Sequence, residues 1–306
     1  MILALLTKKT RLCLCRGFFV SFFLLFPLLL FSCASNNSPV QEYAEYVPSE
    51  SHILWQKVDG AEFASYFFYE NPQYPVRYHC VKIDLSKKIT ILTFPNSEND
   101  FSYKNGSKTD FFTGMTAKQF SARFAPVVAV NSAPFKGKWE HRALSILSST
   151  RKIIGIHVAR KAELSPPAPQ YSAIAFKKDG EGWQGSIFRT QDETDFSEYD
   201  FVFGGFFTIL TGGKKEEFSW KTNDSRTAMG LSADKKTLYL LVVEGENKKK
   251  SRGLSYPECA DILLSLGASD ALQMDGGGSS SLYINEKNAL SYATFRKNAV
   301  FIGFGK

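Results

Sequence analysis

Histidine and cysteine are scarce in this chain, and neither recurs at a metal-binding spacing. His52, His79, His141 and His157 are scattered, while Cys13, Cys15 and Cys33 crowd into the N-terminus and leave Cys80 and Cys259 in the body. Structural and catalytic zinc sites draw three or four such ligands from short, recognisable motifs, so no zinc site is expected. A disulfide between Cys80 and Cys259 stays open, as do two separate buried thiols, because their spacing carries no information. The chain also lacks an uninterrupted apolar run of membrane-spanning length. Its longest, within GFFVSFFLLFPLLLF, is about 15 residues and is broken by Pro27. No internal repeat or extended low-complexity tract occurs.

What is present is a core-forming composition, 44% hydrophobic and 14% aromatic over 306 residues. That argues against disorder. Lys8, Lys9, Arg11 and Arg16 precede the apolar run, the charge order of an export signal. The run closes on Leu30-Phe31-Ser32-Cys33, which resembles the lipobox of bacterial lipoproteins, with Cys33 as the lipidated residue. Paired acyl chains would anchor the protein stably; an uncleaved anchor helix is the alternative. The expected organisation is a signal segment at 1–33, a polar tether at 34–54 and one domain at 55–306. The expected location is the bacterial cell envelope, as an exported, membrane-anchored lipoprotein. Loss of the segment before Cys33 lowers the formal charge from +7 to +3, which removes the main argument for a nucleic-acid partner.

Along the domain, FASYFFYE, YPVRYHCVKIDL and KITILTF read as strands, the last two joined at Ser86-Lys87. Thr116 is placed to cap a helix AKQFSARF, followed by a buried strand ending at Asn131. LSPPAPQ at 164–170 breaks regular structure. RTAMGL and LYLLVV flank Ala233-Asp234-Lys235-Lys236 as an antiparallel hairpin, which sets Arg226 beside Val243 and Glu244. SYPECADILLSLG carries Ser255 and Glu258 at capping-box spacing, an early Pro257 and a terminal Gly267. The fold class that follows is α+β, a single mixed, largely antiparallel sheet domain with covering helices.

Asn131, Glu244 and Asp275 each follow an apolar strand run, and ligands collect beyond such strand ends. Asp275 opens Asp-Gly-Gly-Gly-Ser-Ser. Glycines at 276–278 let consecutive N–H groups turn toward an anion, with Ser279 and Ser280 as hydroxyl donors. No lysine follows the glycines, the Gly-x-Gly-x-x-Gly spacing is missing, and no Gly-x-Ser-x-Gly elbow occurs, so neither a nucleotide loop nor a serine-hydrolase elbow is read here. Arg226 offers a planar fork for phosphate oxygens. Asp275 and Glu244 supply the two carboxylates used in glycosidic cleavage. The structural alternatives are a capped glycine hairpin, a surface ion pair of Arg226 with Asp224 or Glu244, and a solvated strand end at Glu244. A calcium held by Asp275, Glu244 and carbonyls stays open; no other cofactor is implied. Trp139, Trp183 and Trp220 can stack on sugars or pack in the core.

RTAMGL, LYLLVVEG and GLSYPECADILLSLGASDALQMDGGGSSSLYI together resemble the phosphodiester glycosidase family, most strongly over residues 226–284. PVVAVNSAPF is similar to that family's strand ending in Asn-Gly-Gly-Phe-Phe, with Asn131 and Phe135 kept and Ser132, Ala133 and Pro134 replacing the middle. Glu244-Gly245-Glu246 stands where the family has Asp-Gly followed by a basic residue. The resemblance implies release of a sugar from a glycosyl phosphodiester. Arg226, Thr227 and the turn Gly276, Gly277, Gly278, Ser279, Ser280 would hold the phosphate, Asp275 would act as acid or base with Glu244, and Asn131 would orient sugar or water. Because of the departures, a non-catalytic binder of envelope polysaccharide or glycosyl phosphate is the competing reading.

Overall fold

Residues Leu238, Leu240 and Val242 face one hydrophobic core while Tyr239, Leu241 and Val243 face another, so the strand Thr237–Val243 is buried on both sides. The period-two alternation of side chains makes that possible, and each fully buried aliphatic side chain there contributes about 1.5–3 kcal/mol. The computed structural model describes residues 46–137, 149–192, 195–219 and 221–306. The expected signal segment with Cys33, and Trp139, His141 and Trp220, lie outside the described residues.

The central element is an eight-stranded sheet. Its spatial order is Gln56–Val58, Ala61–Asn71, Val76–Asp84, Thr237–Val243, Arg226–Leu231, Asp270–Gln273, Thr208–Thr211 and Lys214–Lys215. The hairpin read around Asp234 is present, with Arg226 opposite Val243 and Thr227 opposite Val242. Thr90–Phe94 does not join this sheet. It pairs with Phe301–Gly305, which also pairs with Val128–Asn131 in a five-stranded sheet. A second five-stranded sheet and two smaller ones complete the fold, and every strand pair among the described residues is antiparallel. The expected single mixed sheet is therefore several antiparallel sheets, because the polar turn after Asp84 redirects the chain instead of closing another hairpin.

Two α-helices occur among the described residues. In Ala117–Phe124, Thr116 Oγ1 accepts from Gln119 N at 3.2 Å and the Gln119 side chain accepts from Thr116 N at 2.9 Å. In Tyr256–Ser265, the Glu258 carboxylate accepts from Ser255 N and Oγ at 2.7 Å, and Gly267 at φ +99 turns the chain away. This helix covers the sheet face formed by Cys80, Ala228, Leu241 and Val243 with Cys259, Ile262 and Leu263. Cys80 and Cys259 are both buried free thiols, and burial pushes the Cys259 thiol up to about 12. No disulfide joins them.

The described residues all fall in one compact unit. Tyr46, Ile53 and Trp55 pack against the helix-side core, and Tyr46 donates to Asp261 Oδ2 at 2.8 Å. The end of the expected tether thus belongs to the domain.

Candidate active site

Asp275 leaves the strand Asp270–Gln273 at the point where the chain stops pairing. Its own N–H is held by Ser132 O at 2.9 Å, so the segment Ser132-Ala133-Pro134 supports it from behind, with Ser132 and Ala133 fully buried. The residue is half-buried, and its carboxyl is the part turned inward. Burial pushes its pKa up, while hydrogen bonds from Ser279 and the Gly276 N–H and the charge of Arg296 pull it down, and the balance is about 6. A carboxyl at that value exchanges protons near neutrality, as a general acid or base must.

The glycines after it answer to close approach by the protein itself. A Cβ on Gly276 would meet Ser225 O at 2.8 Å, one on Gly278 would meet Arg296 Nη2 at 2.9 Å, and Gly277 sits at φ +56. The expected row of outward N–H donors does not form. Gly277 N donates to Ser225 O, while Ser279 N and Ser280 N donate back to Gly276 O and Gly277 O. A short 3-10 turn, Gly277–Ser279, uses those donors internally. What faces the Asp275 carboxyl is the Ser279 side chain together with the Gly276 N–H.

Asn131 and Thr227 lie beneath this turn, both buried. Asn131 Nδ2 donates to Asp275 O at 2.6 Å, and its Oδ1 accepts from Thr227 Oγ1 at 2.8 Å and Ser281 N at 3.0 Å. The amide ties three segments together and has its oxygen filled. Thr227 has its hydroxyl committed to Asn131.

Arg226 is close by but directed elsewhere. Its Nε donates to Leu254 O at 2.9 Å, its Nη2 to Thr222 O at 2.6 Å, and the guanidinium lies 4.6 Å from the Tyr256 ring centroid. The expected phosphate fork is occupied by backbone carbonyls, and neither surface ion pair weighed for it forms. Asp224, beside it, approaches the turn: its Oδ2 lies 3.5 Å from where a Gly277 Cβ would be.

Glu244 is not solvated. It is 2% exposed and accepts from His79 Nε2 at 2.9 Å, from Ser291 N at 2.9 Å and from Ser291 Oγ, with Arg77 Nε at 3.4 Å. Burial alone would raise its pKa; the bonds from His79 and Ser291 outweigh it and hold the carboxyl at about 2. Tyr66 closes the chain, its hydroxyl 2.8 Å from His79 Nδ1.

Sequence reading missed the segment that links these two carboxylates. Residues 291–298 run from Glu244 to the glycine turn. Tyr292 sits among Ser225, Gly245 and Glu246, Arg296 Nη1 is 3.3 Å from Ser279 Oγ, and Asn298 Nδ2 donates to Ser279 O at 2.8 Å. Tyr292, Thr294 and Arg296 are half-buried while Ala293 and Phe295 are exposed. Arg296 lies near enough to lower the pKa of Asp275 yet makes no ion pair among the described residues. The signal available was the alternation in SYATFR, which is too short to stand out from a loop. Among the described residues no three His, Cys, Asp or Glu side chains converge to hold a metal ion. Trp183 is a core residue, with Nε1 donating to Ile89 O at 2.9 Å.

A sequence model of the phosphodiester glycosidase family matches residues 125–304, which includes Asn131, Arg226, Glu244, Asp275 and Arg296. No curated protein matches the chain. Solved structures share the fold. The catalytic domain of zebrafish N-acetylglucosamine-1-phosphodiester alpha-N-acetylglucosaminidase, auto-inhibited by its pro-peptide, superposes with a TM-score of 0.57 at 13% identity, over 83% of this chain and 88% of that one. A hypothetical protein from Synechocystis gives 0.58 at 13% identity, over 82% and 63%. A putative exported protein from Burkholderia pseudomallei gives 0.55 at 14%, over 76% and 74%.

Proposed function

We propose, since the chain belongs to the phosphodiester glycosidase family, that it is a hydrolase releasing a sugar from a glycosyl phosphodiester. The observation that carries this reading is the arrangement at the strand end: the Asp275 carboxyl is hydrogen-bonded by Ser279 and the Gly276 N–H, Arg296 stands 3.3 Å from Ser279 Oγ without an ion pair among the described residues, and burial raises the pKa of Asp275 to about 6. Asp275 takes a proton from water as the water oxygen bonds to the anomeric carbon. The bond from that carbon to the ester oxygen breaks, and its electron pair stays on the departing phosphate. Arg296 stabilises the growing charge there. A phosphate monoester has a second pKa near 6, so it leaves as a dianion without a strong acid. One titrating carboxyl therefore suffices, and the two-carboxylate scheme with Glu244 is not required.

In this reading Arg296 takes the phosphate role first given to Arg226. Glu244, Asn131 and Thr227 position the groups that touch substrate. The export signal and Cys33 would hold the enzyme on the envelope membrane. The likeness to an exported protein supports export, and no helix among the described residues is long and apolar enough to cross a membrane.

The test is release of free sugar from a panel of sugar-1-phosphodiesters, with Asp275→Asn as control. Turnover by the wild type that the variant lacks supports the hydrolase. A folded wild type that binds glycosyl phosphate without turnover supports the non-catalytic binder, the reading favoured by the enclosure of Glu244 and by Pro134 in the strand-end segment.

A further inference from the structure

At the end of the fold opposite Asp275, three segments meet around an open cleft of about 720 Å³, a volume within the range of ligand pockets. The strand registers fix the two ends. Asp84 lies opposite Thr237 while Tyr78 lies opposite Val243, and Phe304 lies opposite Val128 while Phe301 lies opposite Asn131. Lys87, Lys88 and Lys306 therefore follow their strands at the ends away from Glu244 and Asn131, and the length of Thr237–Val243 sets the two ends about 20 Å apart.

Lys57, Lys87, Lys88 and Lys306 line the cleft together with Asp59, Gly60 and Glu62. All four lysines are exposed, and none makes an ion pair among the described residues. The backbone that carries them is fixed. Asn285 Nδ2 donates to Asp59 O at 3.0 Å, Thr90 Oγ1 donates to Lys306 O at 2.9 Å, and Asp84 directs its carboxylate to Ser86 N and Oγ, at 3.0 and 2.5 Å, instead of to Lys87 or Lys88. Gly60, at φ +72, lies under Lys306 Nζ, which stands 3.7 Å from where a Cβ would be. Four cations face Asp59 and Glu62, and a terminal carboxylate on Lys306 would still leave the balance positive. A concave surface of one sign focuses its field and concentrates counter-ions.

We propose that this cleft binds a ligand carrying two or more phosphate groups, at a site separate from the one beside Asp275. Lysine holds phosphate as a point charge, without the planar fork that carboxylate recognition favours. A phosphate ester carries up to about two charges, so two of them match four lysines in one cleft. The proposal does not depend on the reaction assigned to Asp275.

Tripolyphosphate is the probe, titrated into the full chain at low salt. Its Kd should rise about tenfold or more in Lys87→Gln/Lys88→Gln, and likewise in Lys57→Gln/Lys306→Gln. It should not change in Arg296→Gln or in Lys249→Gln/Lys250→Gln, a pair in the basic run that follows Glu244 at the other end. Equal weakening in the Lys249/Lys250 variant would mean a diffuse basic surface, and weakening in Arg296→Gln alone would return the anion to the Asp275 site. Either result overturns the proposal, as does an unchanged Kd in both cleft variants or a wild type that binds no tripolyphosphate. Vesicles of phosphatidylglycerol separate the sources of phosphate. Co-sedimentation with the same lysine dependence assigns the groups to adjacent lipid heads, and tripolyphosphate binding without it assigns them to a soluble or polymeric ligand. Neither arm reads sugar release, so failure of the glycosidase reading and failure of this one are distinct results.

Discussion

Two carboxylates follow strands that flank Arg226–Leu231 in the central sheet, and their surroundings drive them in opposite directions. Asp275 and Glu244 both lose water, and desolvation is the leading influence on each. Glu244 receives a full set of donors from His79 and Ser291, beside Arg77, and stays ionised down to about 2. Asp275 receives fewer, Ser279 and Gly276 N–H with Arg296 at longer range, and rises to about 6. Burial alone therefore does not identify a catalytic acid or base. The count of donors around the buried carboxyl decides whether it is a fixed charge or a titrating group.

The contrast breaks most severely at Asp275. Asp275→Asn is expected to lower kcat about 1000-fold or more, read as sugar release. The same change should stabilise the protein at pH 7. The folded carboxyl holds its proton up to about pH 6, above its ordinary value of 3.8, so wild-type stability falls as pH rises between those values. The amide has no such loss, and urea unfolding at pH 7 should show a gain of about 1–3 kcal/mol. A variant both active and no more stable would end the comparison.

Glu244→Gln should show the opposite balance. Its folded pKa lies below the ordinary 4.5, so its stabilisation is complete above that value and is lost as pH falls through about 2. Replacing it leaves His79 and Arg77 facing a neutral amide, at a cost of about 2–3 kcal/mol in urea unfolding at pH 7. The difference from wild type should shrink as the pH is lowered from 4.5 toward 2.

Both strand ends were legible in the sequence, and so was the hairpin that set Arg226 opposite Val243. The helix caps could also be read, since Ser255, Glu258 and Gly267 act within a few residues of one another. The partners were not. Ser291 reaches Glu244 across 47 positions, and Asn131 reaches Asp275 across 144. The glycines signalled close approach correctly, but sequence could not say that Ser225 and Arg296, and not a bare ligand, occupy the space beside them. The division into several sheets was hidden for the same reason, because strand patterns fix which face is buried but not which strand lies alongside.

Arg296→Gln sharpens the comparison from the side of the cation. Its charge lowers the pKa of Asp275, so its removal should move the acidic limb of the pH–rate profile to higher pH. KM for a glycosyl phosphodiester should also rise about 10- to 100-fold, the worth of a hydrogen bond to a charged group.

Arg226→Lys should do least, and for a reason that separates the two arginines. The guanidinium of Arg226 is spent on Leu254 O, Thr222 O and the Tyr256 ring, and lysine keeps the charge but cannot hold two carbonyls in one plane. A loss of about 1 kcal/mol in stability is expected, with KM changed less than about threefold. Both arginines lie beside the same glycines, yet Arg226 has its Nε and Nη2 held by backbone carbonyls while the one hydrogen bond shown for Arg296 goes to Ser279 Oγ next to Asp275. A large rise in KM for Arg226→Lys with no change for Arg296→Gln would exchange their roles and return the phosphate to the place the sequence first gave it.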